Sequence, residues 1–298
     1  MSFLPEHFQR TIKNIHHKKG ENWLRNFPEL VDYSERKWGM KMLAPFELSY
    51  NYVAPIQCGD GSRAVIKFTV SEKEYRTETE ALRCFNNSGA VKLLDTDAER
   101  GIMLLECIQP GTMLAEVKEE EMTALAAAEV MKKLWKPASA KNSLPDMSSK
   151  VESMKRIYVN NKQGLGSVSK RTLKEALTIF QQLANSQKQL YLLHGDLHHY
   201  NILRGEREPW LAIDPKGMIG ERESDVIPFL LNKLPDQHKK AVIKKRISIF
   251  VKELQLNEEK ILLWGFAQAV LAYCWSIEDG NLHPSFLEAA CVFRDLLR

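Results

Sequence analysis

Residues 191–203 read Y-L-L-H-G-D-L-H-H-Y-N-I-L. Apolar residues lead up to His194 and resume at Ile202, so the sequence predicts a short loop between two strands. Asp196 and Asn201 stand five positions apart, the separation seen in the kinase catalytic loop H-R-D-x-x-x-x-N. A second apolar segment, W-L-A-I, ends at Asp214. A site that phosphorylates hydroxyls needs a carboxylate to take the proton, and an amide plus a second carboxylate to hold Mg²⁺. The alternative is two loop acids beside an ordinary apolar hairpin.

Length and composition are those of a globular protein. The chain has 298 residues, of which 44% are hydrophobic and 27% charged, enough for two lobes or domains. A net charge of +4 without a clustered basic face argues against a nucleic-acid partner. We find no apolar run approaching the ~20 residues that cross a bilayer, and no secretory signal. The sequence therefore predicts a cytoplasmic protein with no membrane partner.

The cysteines predict neither a disulfide framework nor a zinc site. The sequence has five of them, which are scattered and form no C-x-x-C pair. The i, i+4 pair His194 and His198 leaves zinc as an alternative, but zinc chemistry on that spacing normally requires a helix. Gly195 and the flanking strands favour a loop instead. We expect His194 to brace this loop through a hydrogen bond to a helix or a backbone carbonyl.

The N-terminal part is predicted to change from helix to strands. Residues 1–41 show helical spacing of apolar residues, with Pro28 near the start of a helix. Strands Val53–Cys58 and Ser62–Phe68 then flank a Gly-Asp-Gly connection. The second strand carries A-V-I-K, which resembles the kinase V-A-I-K strand whose Lys contacts nucleotide phosphates. Lys67 is therefore a candidate phosphate-binding residue, and the alternative is an edge lysine with its charge in water.

The segment that follows is predicted to be a helix, Glu72–Phe85, carrying several glutamates. In kinases a helix glutamate pairs with the strand lysine. Glu78 is our candidate partner because it precedes an Ala-Leu pair by one turn, and Glu80 is the alternative.

A hinge between two lobes is predicted where the next hairpin ends. Its second strand runs into E-C-I-Q-P-G, and a Pro-Gly break after an apolar strand suits a hinge. The backbone of Glu106 and Ile108 would then meet the adenine of a nucleotide. Beyond the hinge the chain is mainly helical.

Four segments identify a family resemblance: L-L-H-G-D-L-H-H-Y-N-I-L, W-L-A-I-D-P-K-G, W-G-F-A-Q-A-V-L and W-S-I-E-D-G. They resemble the aminoglycoside/hydroxyurea phosphotransferase family, which includes streptomycin 6-kinases. The resemblance implies an α+β, protein-kinase-like bilobal fold with a strand-rich lobe (residues 1–108) and a helical lobe (residues 109–298). It also implies ATP and Mg²⁺ as cofactors, Asp196 as catalytic base, Asn201 and Asp214 as Mg²⁺ ligands, and Lys67 on the phosphates.

Two features depart from the family pattern. The segment A-P-F-E-L-S-Y-N, residues 44–51, contains no glycine where a phosphate-covering loop would lie, so Ser49 or Asn51 would have to serve. Tyr200 stands where relatives carry a small or acidic residue, and it would narrow the acceptor pocket.

The acceptor predicted from the resemblance is an aminoglycoside, which is a polycation, so its site should be acidic despite the positive net charge. Glu278 and Asp279, at the end of a late helix, are the predicted substrate ligands. Glu221 and Glu223 are further candidates, whereas Asp225 is predicted to tie down the loop after the site. The alternatives are a kinase of another hydroxylated metabolite and a non-catalytic nucleotide-binding relative. The protein is expected to be a monomer or dimer.

Overall fold

An antiparallel five-stranded sheet forms the N-terminal lobe of the computed structural model, which describes residues 4–139 and 143–298. Residues 1–3, at the start of the predicted helical segment, lie outside this description. The order of the strands in the sheet is β1-β2-β3-β5-β4. Their bounds are β1 Met40–Met42, β2 Tyr52–Cys58, β3 Arg63–Phe68, β4 Leu93–Asp97 and β5 Ile102–Glu106.

Helix α1 (Glu6–Trp38) covers one face of this sheet. Alternating residues of β2, beginning with Tyr52, are fully buried and pack against Phe8 and Phe27 of the helix. The prediction that Pro28 lies near a helix start is wrong, because it lies inside α1, beyond a kink at His17. Its ring removes one helix hydrogen bond, and burial of the neighbouring Phe27 in the aromatic cluster helps to offset that loss.

Helix α2 (Glu72–Phe85) packs near the edge of the same lobe and coincides with the predicted helix. The Ser71 hydroxyl caps it by accepting a hydrogen bond from the backbone N–H of Glu74. Asn86 ends it in the left-handed conformation. The buried side of α2 carries Glu78 towards β3.

The C-terminal lobe is mainly helical. Its helices are α3 Glu120–Leu134, α4 Ser148–Asn160, α5 Lys170–Ser186, α6 Arg222–Asp225, α7 Ile227–Leu231, α8 Lys239–Leu254, α9 Glu258–Glu278 and α10 Pro284–Leu296. Its short strands are β6 Pro110–Met113, β7 Lys136–Pro137, β8 Gly164–Leu165, β9 Val168–Ser169, β10 Tyr191–Leu193, β11 Ile202–Gly205, β12 Trp210–Ala212 and β13 Met218–Gly220. Two of the small sheets hold the residues of the site: β13-β10-β7 and β12-β11-β6.

Helix α9 is the core helix of this lobe. With 21 residues and a mean hydropathy of 1.3 in its most apolar window, it is long and apolar enough to cross a membrane. However, 72% of that window is buried inside the protein, as expected for a core helix. Trp264 and Phe266 are fully buried there, with the Phe180 ring of α5 against Trp264.

The two lobes meet where β5 leads into β6. Strand β5 ends at Glu106, and β6 begins at Pro110 and pairs with β11 of the helical lobe. The predicted lobe boundary at residue 108 falls in this connection and stays a prediction. A parallel bridge between Ala90 and Ala212 also joins the lobes.

Candidate active site

The predicted catalytic loop is held by one buried carboxylate, that of Asp225. Its oxygens accept hydrogen bonds from the backbone N–H of His194 at 3.0 Å and of Gly195 at 2.7 Å. They also accept one from the indole N–H of Trp135 at 2.9 Å. A carboxylate that is 1% exposed requires such partners, because burying an unpaired charge is costly. Asp225 was predicted to tie down the loop after the site, whereas its carboxylate binds the catalytic loop itself.

His194 supplies a second brace. Its Nε2 lies 2.9 Å from the carbonyl oxygen of Ile213, and a carbonyl can only accept, so Nε2 carries the proton. Nδ1 is then free to accept the backbone N–H of Asp196 at 3.3 Å. Burial lowers the pKa of His194 to about 3, which keeps the ring neutral. The loop is thus fixed on both sides of its aspartate.

The carboxylate of Asp196 is left accessible. Its side chain is 37% exposed, and its nearest ionic partner is Nε2 of His198 at 4.0 Å. No hydrogen bond to this carboxylate is present among the described residues. Burial raises the pKa of Asp196, while His198 and Lys216 oppose the rise. An accessible carboxylate with a raised pKa is suited to accept a proton.

Asn201 and Asp214 lie next to each other across a hairpin. The backbone carbonyl of Asn201 accepts the N–H of Ile213 at 2.9 Å, continuing the pairing of β11 with β12. The amide nitrogen of Asn201 donates to the carbonyl of Asp196 at 3.0 Å. Within the described residues its amide oxygen has no partner. This oxygen and the Asp214 carboxylate are the hard ligands that Mg²⁺ prefers, so the residues present fit that ion.

Asp214 stands in a strongly positive environment. Its backbone is left-handed, with φ of 58°, and its carboxylate contacts the ammonium of Lys67. The ammonium of Lys216 lies 4.0 Å from its second oxygen. Burial alone would raise the pKa of Asp214, but Lys67 and Lys216 hold it well below its usual range. The group is therefore ionised, as a metal ligand must be.

Lys67 is brought against Glu78, as the sequence predicted for a kinase lysine. The two Glu78 oxygens lie 2.8 and 2.7 Å from Nζ, and both residues are 4% exposed. Burial would lower the pKa of Lys67, but Glu78 and Asp214 raise it above its ordinary value. The alternative, Glu80, is turned elsewhere and accepts the backbone N–H of Ser143 at 2.7 Å. The nucleotide-binding roles of Lys67 and Glu78 stay predictions.

The predicted hinge offers free backbone groups. The backbone N–H of Glu106 donates to the backbone carbonyl of Lys92 at 2.9 Å, and the Glu106 carboxylate pairs with the Arg207 guanidinium at 3.0 Å. Beyond it, the backbone of Cys107 and Ile108 has no backbone partner in the described part of the chain. Unpaired backbone groups at this position are available to adenine, and the roles of Glu106 and Ile108 stay predictions.

Sequence reasoning missed two lysines of the site, Lys150 and Lys216. Lys150, in the first turn of α4, donates to the side-chain oxygen of Gln268 at 2.6 Å. Burial lowers the pKa of Lys150 to about 8, and the charges of Asp225 and Asp196 oppose that change. Nothing in the sequence around Lys150 distinguishes it from a surface lysine. Lys216, in contrast, has a signal that could have identified it, because the D-P-K-G segment sets it two residues after a predicted metal ligand.

The predicted acceptor ligands are not brought to this cluster. The Glu278 carboxylate forms a two-bond ion pair with the Arg156 guanidinium, both bonds 2.7 Å, and Asp279 is exposed. Glu278 lies ten residues beyond Gln268 on α9, which is about 15 Å along the helix axis. Any role of Glu278 and Asp279 in binding an acceptor stays a prediction.

The other predicted acids bind the start of α9. Glu221 pairs with Lys260, and the carboxylate of Glu223 accepts the backbone N–H of Asn257 at 3.2 Å.

Over residues 4–139 and 143–298, no group of three or more His, Cys, Asp or Glu side chains could hold a metal ion.

The fold resembles solved structures of small-molecule kinases. Aminoglycoside phosphotransferase APH(4)-Ia, in a ternary complex with ADP and hygromycin B, matches with a TM-score of 0.63 at 15% identity. The match covers 89% of this chain and 98% of that one. Choline kinase LicA from Streptococcus pneumoniae also matches with a TM-score of 0.63 at 15% identity, over 91% of this chain and 99% of that one. These likenesses show the protein-kinase-like fold.

Sequence comparison gives the family. A streptomycin 6-kinase of Streptomyces glaucescens is 26% identical over 299 residues, covering 98% of this chain and 97% of the relative. A hydroxyurea phosphotransferase of Kitasatospora aureofaciens is 27% identical over 268 residues, covering 88% of this chain and 77% of the relative. Residues 43–280 match the model of the aminoglycoside/hydroxyurea antibiotic resistance kinases. The chain belongs to this family, and it is a phosphotransferase.

Proposed function

We propose that the protein transfers the γ-phosphoryl group of ATP to a hydroxyl of a streptomycin-like aminoglycoside. One observation carries this proposal. The Asp196 carboxylate is 37% exposed with no hydrogen bond among the described residues; Asn201 bonds the Asp196 backbone carbonyl through its side chain and the neighbour of Asp214, Ile213, through its own backbone. Proton acceptor and metal ligands are thereby joined in one rigid unit, as phosphoryl transfer to a hydroxyl requires.

The nucleotide would lie between the lobes. In this proposal the backbone of Ile108, which has no backbone partner among the described residues, meets adenine, and Lys67, held by Glu78, contacts the phosphates. Solved complexes of APH(4)-Ia with ADP and with AMP-PNP support an adenine nucleotide. ATP is therefore the phosphate donor in this proposal.

Asp214 and Asn201 would hold Mg²⁺. When bound, the ion supplies positive charge that neutralises the phosphate oxygens. The contact between Lys67 and Asp214 shows that the Asp214 carboxylate attracts cations in this position. Asn201 contributes its free amide oxygen, oriented by the hydrogen bond from its amide nitrogen to Asp196.

Asp196 orients the acceptor hydroxyl and takes its proton. The acceptor oxygen forms a bond to the γ-phosphorus as the bond from that phosphorus to the bridging oxygen breaks, and ADP leaves. The proton passes to the Asp196 carboxylate and then to solvent. His194 keeps the aspartate in place, and the rings of His198 and Tyr200, whose centroids are 6.0 Å apart, follow it in the same loop. Tyr200 is 48% exposed and free to contact an acceptor.

A second candidate acceptor is a small uncharged hydroxyl compound such as hydroxyurea. One observation favours it: the ammonium groups of Lys150 and Lys216 both act on Asp196, alongside the negative charge of Asp214. Cationic side chains near the proposed base reduce the attraction of the site for a polycation and leave a neutral acceptor unaffected. A hydroxyurea phosphotransferase is also among the relatives.

The test is ADP release measured with streptomycin, with hydroxyurea and with unrelated polyols, followed by NMR of any product. We expect turnover with streptomycin, and the Asp196→Asn variant should lose about 10²-fold or more of it. Binding of ADP to this variant should equal that of the wild type. Turnover of hydroxyurea alone would establish the second candidate. Turnover of polyols alone, or of no compound, would contradict both.

A further inference from the structure

Lys216 projects from a turn whose backbone is fixed at both ends. The backbone N–H groups of Lys216 and Gly217 both donate to the carbonyl of His194, at 2.9 and 3.1 Å. Gly217 has φ of 67°, and a Cβ there would lie 2.6 Å from the carbonyl oxygen of Thr77 and 2.9 Å from the Cβ of Ala81. The turn is therefore pressed between α2 and the catalytic loop, and only glycine fits at its end.

The stem of Lys216 lies over Gly195 of the catalytic loop. A Cβ on Gly195 would come within 3.3 Å of the Lys216 Cβ and within 3.1 Å of Met218. The glycine between His194 and Asp196 thus leaves room for this lysine. The loop sequence and the D-P-K-G turn are fitted to each other, and they bring the Lys216 side chain alongside the predicted base.

The ammonium of Lys216 is not committed to a partner. Its nearest carboxylate oxygen, on Asp214, is 4.0 Å away, which is beyond hydrogen-bond distance, and its side chain is 44% exposed. The side chain of Lys67, in contrast, is 5% exposed, and its ammonium is bound by Glu78 and Asp214. Within the described residues, no hydrogen bond from Lys216 Nζ is present. Its charge acts on both Asp214 and Asp196.

We propose that Lys216 is a catalytic residue that contacts the phosphoryl group during its transfer. This inference rests on the proposed phosphotransfer at Asp196. The free ammonium lies 4.0 Å from the carboxylate that would hold the metal, and its charge also acts on the carboxylate that would accept the proton. Negative charge is spread over the oxygens of the phosphoryl group as it passes from the nucleotide to the acceptor beside these two carboxylates. A cation beside that group stabilises the transition state more than it stabilises bound ATP or ADP.

The test compares nucleotide affinity with affinity for a mimic of the transferring group. Lys216→Met should lower kcat by about 10²-fold or more, which is the usual loss for one such donor. It should leave the Kd of ADP with Mg²⁺ within about twofold of the wild type. It should weaken binding of ADP with aluminium fluoride, measured by calorimetry, by about tenfold or more. Lys216→Arg should restore part of this affinity, because it restores the charge.

The matched control is Lys240→Met, which removes an exposed lysine of α8 that pairs with Asp295. It should change none of these quantities. Equal binding of the aluminium fluoride complex by wild type and Lys216→Met would overturn the inference. The inference would also be overturned if Lys216→Met lost as much affinity for ADP as for the aluminium fluoride complex, because Lys216 would then be a general phosphate contact.

Failure of the proposed function is a separate outcome, because it would appear as wild-type protein that turns over no acceptor. The aluminium fluoride comparison does not require an acceptor and still decides the role of Lys216. If Lys216→Met does not fold, Lys216→Gln provides the same comparison with a polar side chain.

Discussion

Asp225 and Glu278 are both acids of the helical lobe, and their environments are opposite. Asp225 is 1% exposed and accepts three hydrogen bonds, two of them from the backbone of the catalytic loop. The Glu278 side chain is 32% exposed and pairs with the half-exposed Arg156. Buried acids with backbone partners fix geometry, whereas exposed ion pairs contribute 0–1 kcal/mol and exchange partners readily. The two regions therefore differ in what a mutation can change: at Asp225 the position of the catalytic loop, and at Glu278 an exposed ion pair.

The largest effect on activity is expected at the proposed Mg²⁺ site. Asp214→Ala removes the charged ligand of the proposed Mg²⁺ site, so kcat should fall by about 10³-fold or more, corresponding to several kcal/mol of lost charge stabilisation. The Mg²⁺ dependence of ADP binding should weaken in the same variant. Calorimetric titrations at several Mg²⁺ concentrations measure this, and curves that overlay those of the wild type would exclude Asp214 as a ligand.

Asp225→Ala should disturb the scaffold instead of the chemistry. Three buried donors lose their acceptor, so the free energy of unfolding should fall by about 3–5 kcal/mol. Urea unfolding measures the loss. Glu223→Ala is the matched control, because this acid on the same short helix is partly exposed and should cost less than about 1 kcal/mol. If the two variants proved equally stable, the bracing role of Asp225 would be refuted.

Acidification should destabilise the support of the catalytic loop. His199 is 1% exposed, stacks on Phe229 at 3.9 Å and bonds Asn232; burial and the nearby Arg246 lower its pKa to about 3. Its pKa in the unfolded chain is near 6.5, so between pH 6.5 and 3 the unfolded state binds the extra proton. The free energy of unfolding must therefore decrease as the pH falls through this window, by up to about 1.4 kcal/mol per pH unit for this group.

Replacing this histidine gives the measurement. His199→Phe should flatten the dependence of unfolding free energy on pH by about 1.4 kcal/mol per unit between pH 6 and 4. His283→Phe, which replaces an exposed histidine, is the control. A slope that is the same in His199→Phe and in the wild type would show that His199 does not titrate in this way.

The smallest effect is expected at the exposed end of α9. If Glu278 and Asp279 recognise a cationic acceptor, the double variant Glu278→Gln, Asp279→Asn should raise its KM by about tenfold, or about 1.4 kcal/mol. Arg156→Met should act in the opposite direction, because it frees the Glu278 carboxylate for the acceptor. The KM for ATP should stay constant in both. Acceptor KM values that do not move in either variant would leave the pair with Arg156 as a surface contact only.

Much of the architecture was determined by the sequence through local patterns. The strands around Lys67, helix α2 and the loop from His194 to Asn201 follow from period, capping and fixed spacing, which act within about ten residues of chain. The choice of Glu78 over Glu80 was also local, because helical period decides which glutamate faces β3. Pro28 and α9 mark the limit of this approach, since tertiary packing tolerates a proline inside a helix and buries a helix of membrane length.

Only the tertiary structure decided the surroundings of Asp196. The carboxylate that braces its loop is about 30 residues away in sequence, and Lys150 approaches it from a separate helix. Arg156, on the same helix as Lys150, forms an ion pair with the carboxylate of Glu278, which is 122 residues away in sequence. No local pattern encodes such contacts, because they depend on how helices pack after their own periodic faces are buried. The sequence determined which residue types could form a phosphotransfer site. The packing decided which of the charged groups are paired and which remain unpaired.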